Sequence, residues 1–442
     1  MIFKKDISSL HVNHNKNTAG CLPIQIAPPA EVLLPMNMQS GHDAEPIVAV
    51  GDHVRIGQLI AREEGRFSAP VHATISGTVA EIAPIKQPNG KEVMAIRIES
   101  DGLMEIDPEI KSPTVTNLDE FLNAIRESGV VGLGGAAFPV WAKLDAARTN
   151  EIDTVLVNAA ECEPYITSDH RMMVDHTDLV KKGVELLKTY ICKKVVICIE
   201  ANKPDAINAL NEAFKGDDRV EIRVLNTVYP QGAKQVLLYN VTGKVVKGGQ
   251  RLASLGVLII NVSSLAKVAQ YIETGMPLVD RIVTVDGSAI KNPKNLIVPI
   301  GTRVSHLLEE TGLKAEPGKV LIGGPMLGRA VTSTEDPIIK ATSAILAFNE
   351  KDSVFPEPSA CIHCGRCVSK CPIGLDPTEI ARALTIKDED EKAAVLKDVA
   401  VRQCIECACC SYVCPAHRPL MEQNLQAKDF LWKYNAAKKE SK

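Results

Sequence analysis

Two stretches near the carboxyl end of the 442-residue chain carry cysteines at the same spacing. "CIHCGRCVSKCP" begins at Cys361, "CIECACCSYVCP" begins at Cys404, and both follow the pattern C-x2-C-x2-C-x3-C-P. Four thiolates at these separations enclose a cubane iron-sulfur cluster, because three close cysteines hold one side and a fourth closes the other. The sequence therefore predicts two 4Fe-4S clusters.

The fourth cysteine of each motif is expected to bind the cluster of the other motif, as it does in two-cluster ferredoxins. The first cluster is assigned to Cys361, Cys364, Cys367 and Cys414, and the second to Cys404, Cys407, Cys410 and Cys371. Cys409 lies off the spacing and is excluded. Zinc usually takes two C-x2-C pairs or a Cys/His mixture, and disulfides suit small secreted domains, so neither explains the repeated motif.

The composition is that of a soluble globular protein with about three domains. The chain is 45% hydrophobic and 24% charged, with a net charge of -4, which offers no broad basic surface for nucleic acid. No apolar run approaches the length of a membrane span, and the start "MIFKKDISSL" lacks a signal-peptide core. We expect a chain without a span of its own, placed in the cytoplasm, where reduced thiols permit cluster assembly.

The predicted secondary structure changes along the chain, from short strands to strands that alternate with helices. Residues 29–99 have alternating valine and isoleucine with turns at glycines, typical of a small sandwich of hairpins. It is similar to the barrel-sandwich domains that carry biotin or lipoate, but the matching turn "APVHATISG" has no lysine, so we expect a structural or docking domain. From Asn117 strands alternate with helices, for example strand 154–158 and a helix opened by Pro204, which indicates a mostly parallel sheet with helices on both faces.

The last third of the chain is divided by a proline-marked, charged linker, "AFNEKDSVFPEPSA". Residues 281–335, before it, alternate strands with one helix and are consistent with a small β-grasp-like module. Between the cysteine motifs the sequence is helical, so the cluster domain should be mainly α. The predicted fold is therefore multidomain α/β.

A glycine-rich loop, "VVGLGGAAFPVWAKL", follows the first helix of the α/β region. Gly132, Gly134 and Gly135 let the backbone approach a ligand, and Pro139 suits the first turn of a helix. Free N-H groups at that start are expected to form an anion site to which Lys143 adds charge and which suits a phosphate group. A glycine loop that only turns a corner of the chain is the alternative.

The segment "VNAAECEPYITSDHRMM" follows strand 154–158. It places Asn158, Glu161 and Glu163 at the carboxyl end of the sheet, where such sheets bind ligands. These three side chains can hydrogen-bond the ribityl hydroxyls and ring edge of a flavin. A solvated acidic loop is the alternative. Cys162 is expected to be a packing residue, because no activating base lies beside it.

With these stretches in view, the chain resembles RnfC (RsxC), the peripheral iron-sulfur and flavin subunit of the Rnf electron-transport complex. The flavin domain is similar to that of the NADH-oxidising subunit of respiratory complex I. The resemblance covers almost the whole chain and is carried by "HNKNTAG", "GDHVRIGQLIA", "SAPVHATISGTV", "GLGGAAFP", "ECEPYITSDHRMM", "YPQGAKQ", "KVLIGGPMLG" and both cysteine motifs.

The resemblance implies FMN, with NADH stacking on the flavin and electrons exchanged with the clusters. It places Gly132, Gly134, Gly135, Ala136 and Lys143 at the FMN phosphate. It places Asn158, Glu161, Glu163 and Asn261 at the ribityl chain and ring, and Phe138 at the nicotinamide nucleotide or in apolar packing. It also implies a Rossmann-like flavin domain, an SLBB-like β-grasp module, integral-membrane and ferredoxin-like partner subunits, and a peripheral position on the cytoplasmic face of the bacterial membrane.

Three departures from the family pattern stand out. "FKKDISS" replaces F-K-G-G-I-H-P, and "NMQSGHDAEP" stands where the family has Q-H-I-G-A-P. In "YPQGAKQ", Lys234 stands where the family usually has a glutamate expected near the nucleotide. A lysine reverses the charge and removes an acceptor, so this change bears on NADH binding more than on FMN binding.

Domain limits and three functions follow from the resemblance and the residues. The predicted domains are 1–112 (barrel-sandwich with an amino-terminal extension), 113–280 (FMN/NADH-binding), 281–348 (β-grasp) and 349–442 (two-cluster ferredoxin with a carboxyl-terminal helix). The first function is an NADH- and ferredoxin-linked electron relay in an ion-translocating Rnf complex. The others are an RnfC-like reductase feeding a soluble corrinoid or amino-acid reductase, and a flavin-free iron-sulfur adaptor. The presence of Lys143, Gly134 and Gly135 argues against the adaptor.

Overall fold

A computed structural model of the chain describes residues 9–65, 67–87, 90–246 and 250–440. The departure at "FKKDISS" lies, except for Ser9, outside the described residues. No helix within these ranges is long and apolar enough to cross a membrane.

The first part of the chain folds into two small antiparallel sheets, as the hairpin pattern predicts. Their strand orders are β2-β8-β7-β4 and β3-β5-β6, while β1 leaves to join a later sheet. Gly77, at the start of the long β7–β8 hairpin, has φ 156°, and a Cβ there would lie 1.9 Å from the Glu99 carbonyl oxygen, so the pairing requires glycine. The strands are β1 Ile24–Gln25, β2 Glu31–Pro35, β3 Ala44–Pro46, β4 His53–Val54, β5 Leu59–Glu63, β6 Val71–His72, β7 Gly77–Lys86 and β8 Glu92–Ser100.

A four-stranded parallel sheet of order β11-β10-β9-β12 forms the centre of the next part. This part of the chain contains α1 Leu118–Glu127, α2 Val140–Leu144, β9 Thr154–Ala159, α3 Ser168–Asp175, α4 Thr177–Tyr190, β10 Lys194–Glu200, α5 Pro204–Ala213, β11 Val220–Leu225, α6 Lys234–Thr242, β12 Val257–Asn261 and α7 Val262–Thr274. Short 3-10 turns cover Asp145–Arg148 and Leu252–Leu255. The predicted strand at 154–158 and the helix opened by Pro204 are confirmed.

Helices cover both faces of this sheet, as predicted. Val155 and Val157 of β9 pack on the face that contacts α4 and α7, whereas Leu156, between them, packs on the face covered by α6. This alternation follows from the two-residue period of a strand. Because all four strands are parallel, their carboxyl ends share one edge, and the loops after β9 and β12 meet there.

A mixed six-stranded sheet of order β1-β14-β13-β17-β15-β16 follows. Its elements are β13 Asp280–Asp286, β14 Lys294–Pro299, α8 Val304–Thr311, β15 Lys319–Ile322, β16 Arg329–Ala330, β17 Ala344–Phe348 and α9 Glu350–Ser353. The expected linker is shorter than predicted, because its first residues complete β17 and α9. The exposed Val354 and Phe355 come next.

The cluster region is helical, as predicted. It contains α10 Arg366–Ser369, α11 Pro377–Ala383, α12 Glu389–Asp398, a 3-10 turn at Val401–Gln403, α13 Cys409–Tyr412 and α14 Leu420–Glu440. Leu431 and Ala427 of α14 are fully buried against α11 and α12, so this helix belongs to the core of the region.

Candidate functional site

The glycine-rich loop is a tight, exposed turn at the carboxyl edge of the parallel sheet. It is closed by the Gly132 N-H bonding to the Phe138 carbonyl (2.9 Å) and the Ala137 N-H bonding to the Gly132 carbonyl (3.0 Å). Gly135 has φ 101°, and a Cβ there would meet only open space. Residues 134–136 are exposed. The loop therefore presents its backbone to a ligand.

The helix after this loop is shorter than the anion-site prediction requires. Pro139 precedes it as the N-cap residue, and α2 is a single short helix, Val140–Leu144. The start of so short a helix offers only a weak anion site. The positive charge near the loop therefore comes from side chains.

Two lysines supply that charge. Burial and the nearby ammonium of Lys234 lower the pKa of Lys143 to about 8. Within the described residues, Lys143 has no hydrogen-bond acceptor or ion-pair partner. A desolvated cation without a partner, beside an open glycine turn, fits a phosphate group. Lys234 is exposed at the first residue of α6.

Asn158 and Asn261, both predicted to bind the flavin, lie at the carboxyl ends of the neighbouring strands β9 and β12. Asn158 Nδ2 donates to the Gly232 carbonyl (2.9 Å). Asn261 is the N-cap of α7, where Oδ1 accepts from the Ser264 N-H (3.0 Å) and Nδ2 donates to Asp169 (2.6 Å). A Cβ on Gly134 would lie 3.2 Å from Asn261 Nδ2, so the loop and β12 are in direct contact. The structure thus brings Asn158, Asn261 and the glycine loop together.

Glu161 and Glu163, both predicted to bind the flavin, each accept a hydrogen bond from a backbone N-H group. Glu161 accepts the Asp169 N-H (2.6 Å) at the start of α3, and Glu163 accepts the Met326 N-H (3.1 Å). Burial raises the pKa of each carboxyl to about 7. Oε1 of Glu163 is buried without a hydrogen-bond partner within the described residues. That oxygen is an acceptor to which a bound flavin could donate.

Sequence reasoning did not assign a role to Lys16, which fastens this loop from a distant part of the chain. Its Nζ donates to the carbonyls of Glu161 and Glu163 (both 2.8 Å) and of Ile166. Burial lowers the pKa of Lys16 to about 8. Lys16 lies in "HNKNTAG", which carried only the family resemblance, and nothing local in that motif indicates a contact with residues 161–166.

The eight predicted cluster ligands line two cavities. Cys361, Cys364, Cys367 and Cys414 line the larger one, of about 240 Å³, which we call the outer cavity. Cys371, Cys404, Cys407 and Cys410 line the smaller one, the inner cavity. Each cavity thus takes three cysteines from one motif and one from the other. None of the thirteen cysteines forms a disulfide, and the described residues contain no group of three His, Cys, Asp or Glu side chains that converges on a single ion.

Two further residues complete the inner cavity. Cys409, excluded as a ligand by its spacing, lines it and is 1% exposed. The buried Asn424 of α14 points its Nδ2 at Sγ of Cys404 (3.6 Å) and Sγ of Cys410 (4.0 Å). Asn424 gave no signal in the sequence, because only the packing of α14 brings it to the cysteines.

Three parts of the chain match known protein families. Residues 6–103 match the family described as "RnfC Barrel sandwich hybrid domain". Residues 125–270 match "Nuo51 FMN-binding domain", and residues 353–427 match "4Fe-4S dicluster domain". A subunit of the Na(+)-translocating ferredoxin:NAD(+) oxidoreductase complex of Acetobacterium woodii is 40% identical over 84% of this chain and 85% of its own length. The chain belongs to the RnfC family.

Other relatives support this family membership. A subunit of the proton-translocating ferredoxin:NAD(+) oxidoreductase complex of Clostridium ljungdahlii is 38% identical over 84% of this chain and 82% of its own length. A subunit of the ion-translocating oxidoreductase complex of Haemophilus influenzae is 34% identical over 98% of this chain and 67% of its own length. A crystal structure of an air-oxidized NAD+-reducing NiFe hydrogenase shares the fold, with TM-score 0.50 and 16% identity over 72% of this chain and 64% of that chain.

The predicted RnfC membership is therefore confirmed, as are the barrel-sandwich, FMN-binding and two-cluster ferredoxin domains. FMN and two 4Fe-4S clusters are the cofactors of those domains. The residues around the loop fit FMN, because an open glycine turn, an unpartnered lysine and a buried free acceptor lie at one edge of the sheet.

Proposed function

We propose that this RnfC chain is the electron-transfer subunit of an Rnf-type membrane complex, an oxidoreductase that relays electrons between NAD(H), FMN and two 4Fe-4S clusters. Ion translocation would be coupled by partner subunits. The observation that carries the proposal is a contact between the parallel-sheet part and the cluster region: Tyr229 Oη, in the loop between β11 and α6, donates to the carbonyl of Cys407 (2.9 Å). Two relatives are named as subunits of ferredoxin:NAD(+) oxidoreductase complexes, and these names support the same reaction.

The flavin would be held by the residues at that edge. Gly132, Gly134, Gly135, Ala136 and Lys143 would bind its phosphate. Asn158, Glu161, Glu163 and Asn261 would bind the ribityl chain and ring edge. When bound, FMN supplies the exchange between a two-electron hydride donor and one-electron acceptors. The protein's part is to orient it and to keep the carboxylates beside it desolvated.

For the nucleotide we propose Phe138 as a contact. Its ring lies 5.4 Å from that of Phe67, which belongs to the barrel-sandwich part of the chain. Lys234 adds a positive charge next to Lys143, which favours phosphate groups there, and it stands where the family usually has a glutamate near the nucleotide.

The eight cysteines would hold the clusters in the crossed arrangement: Cys361, Cys364, Cys367 and Cys414 in the outer cavity, and Cys371, Cys404, Cys407 and Cys410 in the inner one. We further propose domain limits of 1–112, 113–280, 281–348 and 349–442, with an SLBB-like β-grasp module third. Integral-membrane and ferredoxin-like partners at the cytoplasmic face of the bacterial membrane complete the proposal.

Cofactor content tests this function. Anaerobically purified protein should contain one FMN and about eight irons, as two cubanes require. Cys364→Ser and Cys407→Ser should each lose about half of the iron, and Cys409→Ser, the matched control, should keep it all. Iron and acid-labile sulfide assays with flavin extraction measure this.

Full iron in Cys364→Ser or Cys407→Ser would refute the ligand sets. Iron without flavin in the wild-type protein would favour the adaptor function.

A further inference from the structure

Two buried cations lie behind the glycine-rich loop, and neither is among the flavin ligands named above. Arg281, on β13, is 3% exposed, and Lys340, in the loop before β17, is 1% exposed. Burial lowers the pKa of Lys340 to about 7 and that of Arg281 to about 10. In the described part of the chain, neither forms an ion pair with a carboxylate. Burying a cation without an anion is costly, so an anion is expected to bind near them.

Both side chains donate hydrogen bonds to carbonyl groups at the start of the loop. Arg281 Nη2 donates to the Leu133 carbonyl (3.3 Å), and its Nη1 donates to the Lys340 carbonyl (2.5 Å). Lys340 Nζ donates to the carbonyls of Gly129 (2.8 Å) and Pro70 (2.7 Å). The two cations are thus joined to each other, and together they hold the first residues of the loop from behind.

The hydrogen bond from Arg281 also fixes the direction of the next peptide group. In a planar trans peptide, the C=O and N-H groups point in opposite directions. Because the Leu133 carbonyl points at Arg281, the Gly134 N-H points away from it. Among the residues that the structure describes, the N-H groups of Gly134, Gly135 and Ala136 have no hydrogen-bond acceptor. Consecutive free N-H groups of this kind form a site for an anion.

The buried charge around the loop is positive on balance. Asp169 is the carboxylate whose charge acts on Arg281, and it accepts hydrogen bonds from Asn261 and Ser263. Asp169 can offset one of the two buried cations, and Lys143 adds a further positive charge. A phosphate group would supply the missing negative charge, whereas a neutral group would not.

We propose that Arg281 and Lys340 are positioning residues that make the loop selective for a flavin that carries a phosphate group. Arg281 orients the peptide group after Leu133, and both cations attract the phosphate from behind the loop without touching it. This inference rests on the proposed function, which places FMN at the loop, and it adds two residues from outside the parallel-sheet part of the chain. Riboflavin, which lacks the phosphate, should therefore bind much more weakly than FMN.

A comparison of FMN with riboflavin tests the proposal, because the two flavins differ only in the phosphate. Full-length protein depleted of flavin is titrated with each flavin, and fluorescence gives the two dissociation constants. Wild-type protein should bind FMN at least about 100-fold more tightly than riboflavin, as two charge-assisted interactions predict. Arg281→Met and Lys340→Met should each reduce this ratio at least about tenfold, through weaker binding of FMN.

Lys188→Met is the matched control. It removes a buried lysine of α4 that pairs with Glu185 and Asp217, and it should leave the ratio unchanged. If Arg281→Met or Lys340→Met does not fold by circular dichroism, Arg281→Lys takes its place. That variant keeps the charge but cannot hold both carbonyls, so the ratio should fall about threefold.

Three results would overturn the proposal. The first is a wild-type ratio close to one, which needs no variant. The second is equal weakening of FMN and riboflavin in the folded methionine variants, because a residue that only supports the loop affects both flavins alike. The third is an unchanged ratio in Arg281→Lys. Failure of the wild-type protein to bind either flavin would instead contradict the proposed function.

Discussion

Asn424 illustrates how one side chain can distinguish two clusters with the same ligand spacing. It is 2% exposed, and its amide reaches Cys404 and Cys410 of the inner set. Backbone donors do not distinguish the two sets, because the His363 N-H donates to Sγ of Cys361 (3.4 Å) in the outer set and the Leu375 N-H to Sγ of Cys371 (3.3 Å) in the inner set. Hydrogen bonds to ligand sulfurs stabilise the more negative, reduced cluster and raise its potential.

We therefore predict that Asn424→Leu lowers the midpoint potential of the inner cluster by about 40 mV, which corresponds to about 1 kcal/mol for one lost hydrogen bond. An EPR-monitored redox titration measures both clusters in one sample. The outer cluster serves as internal control, and Gln426→Leu, an exposed amide on the same helix, should change neither potential. Unchanged potentials in an Asn424→Leu protein with full iron would show that the amide does not act on the cluster.

At the scale of elements, the segment before the barrel-sandwich strands, here called the strap, lies across the loop after β9, which contains the proposed flavin ligands Glu161 and Glu163. Its Lys16 binds three carbonyls of the loop after β9, and Leu10 pairs with Tyr229. That loop contains Glu161 and Tyr165 at positive φ, so it needs outside contacts to keep its shape.

Replacing Lys16 with Met should weaken FMN binding at least tenfold, about 1.4 kcal/mol, because three loop carbonyls lose their donor. Flavin fluorescence titration of the flavin-depleted protein measures the effect. Lys215→Met, at a side chain that is 77% exposed, is the control and should bind FMN like the wild type. If Lys16→Met is folded by circular dichroism and also retains wild-type affinity, the strap does not support the flavin site.

The elements themselves were largely predictable from sequence, because strands and helices leave local periods and the cluster cysteines have a local spacing. The 154–158 strand and the helix opened by Pro204 are such cases. The contacts between elements were not predictable. Lys16 meets a loop 145–150 residues away, and Tyr229 meets Cys407 at a separation of 178 residues. Such pairs depend on how the sheets and helices pack, which no local pattern records.

At the scale of the whole molecule, the cluster region contacts both the parallel-sheet part and the segment before the barrel-sandwich strands. Tyr229 contacts Cys407, and Lys370 Nζ donates to the Ser9 carbonyl (3.2 Å). Glu163, which we propose as a flavin ligand, accepts a hydrogen bond from the Met326 N-H in the loop between β15 and β16. Three parts of the chain therefore meet at residues that we propose to bind the flavin.

The most direct test of the account is an anaerobic NADH titration of protein that contains FMN and about eight irons. We predict that NADH bleaches both the flavin absorbance and the cluster absorbance, as dithionite does. If dithionite bleaches the sample and NADH does not, the NADH-linked relay is contradicted. Lys234→Glu would then show whether that lysine is the cause, because restored bleaching in this variant would place the fault at that position alone.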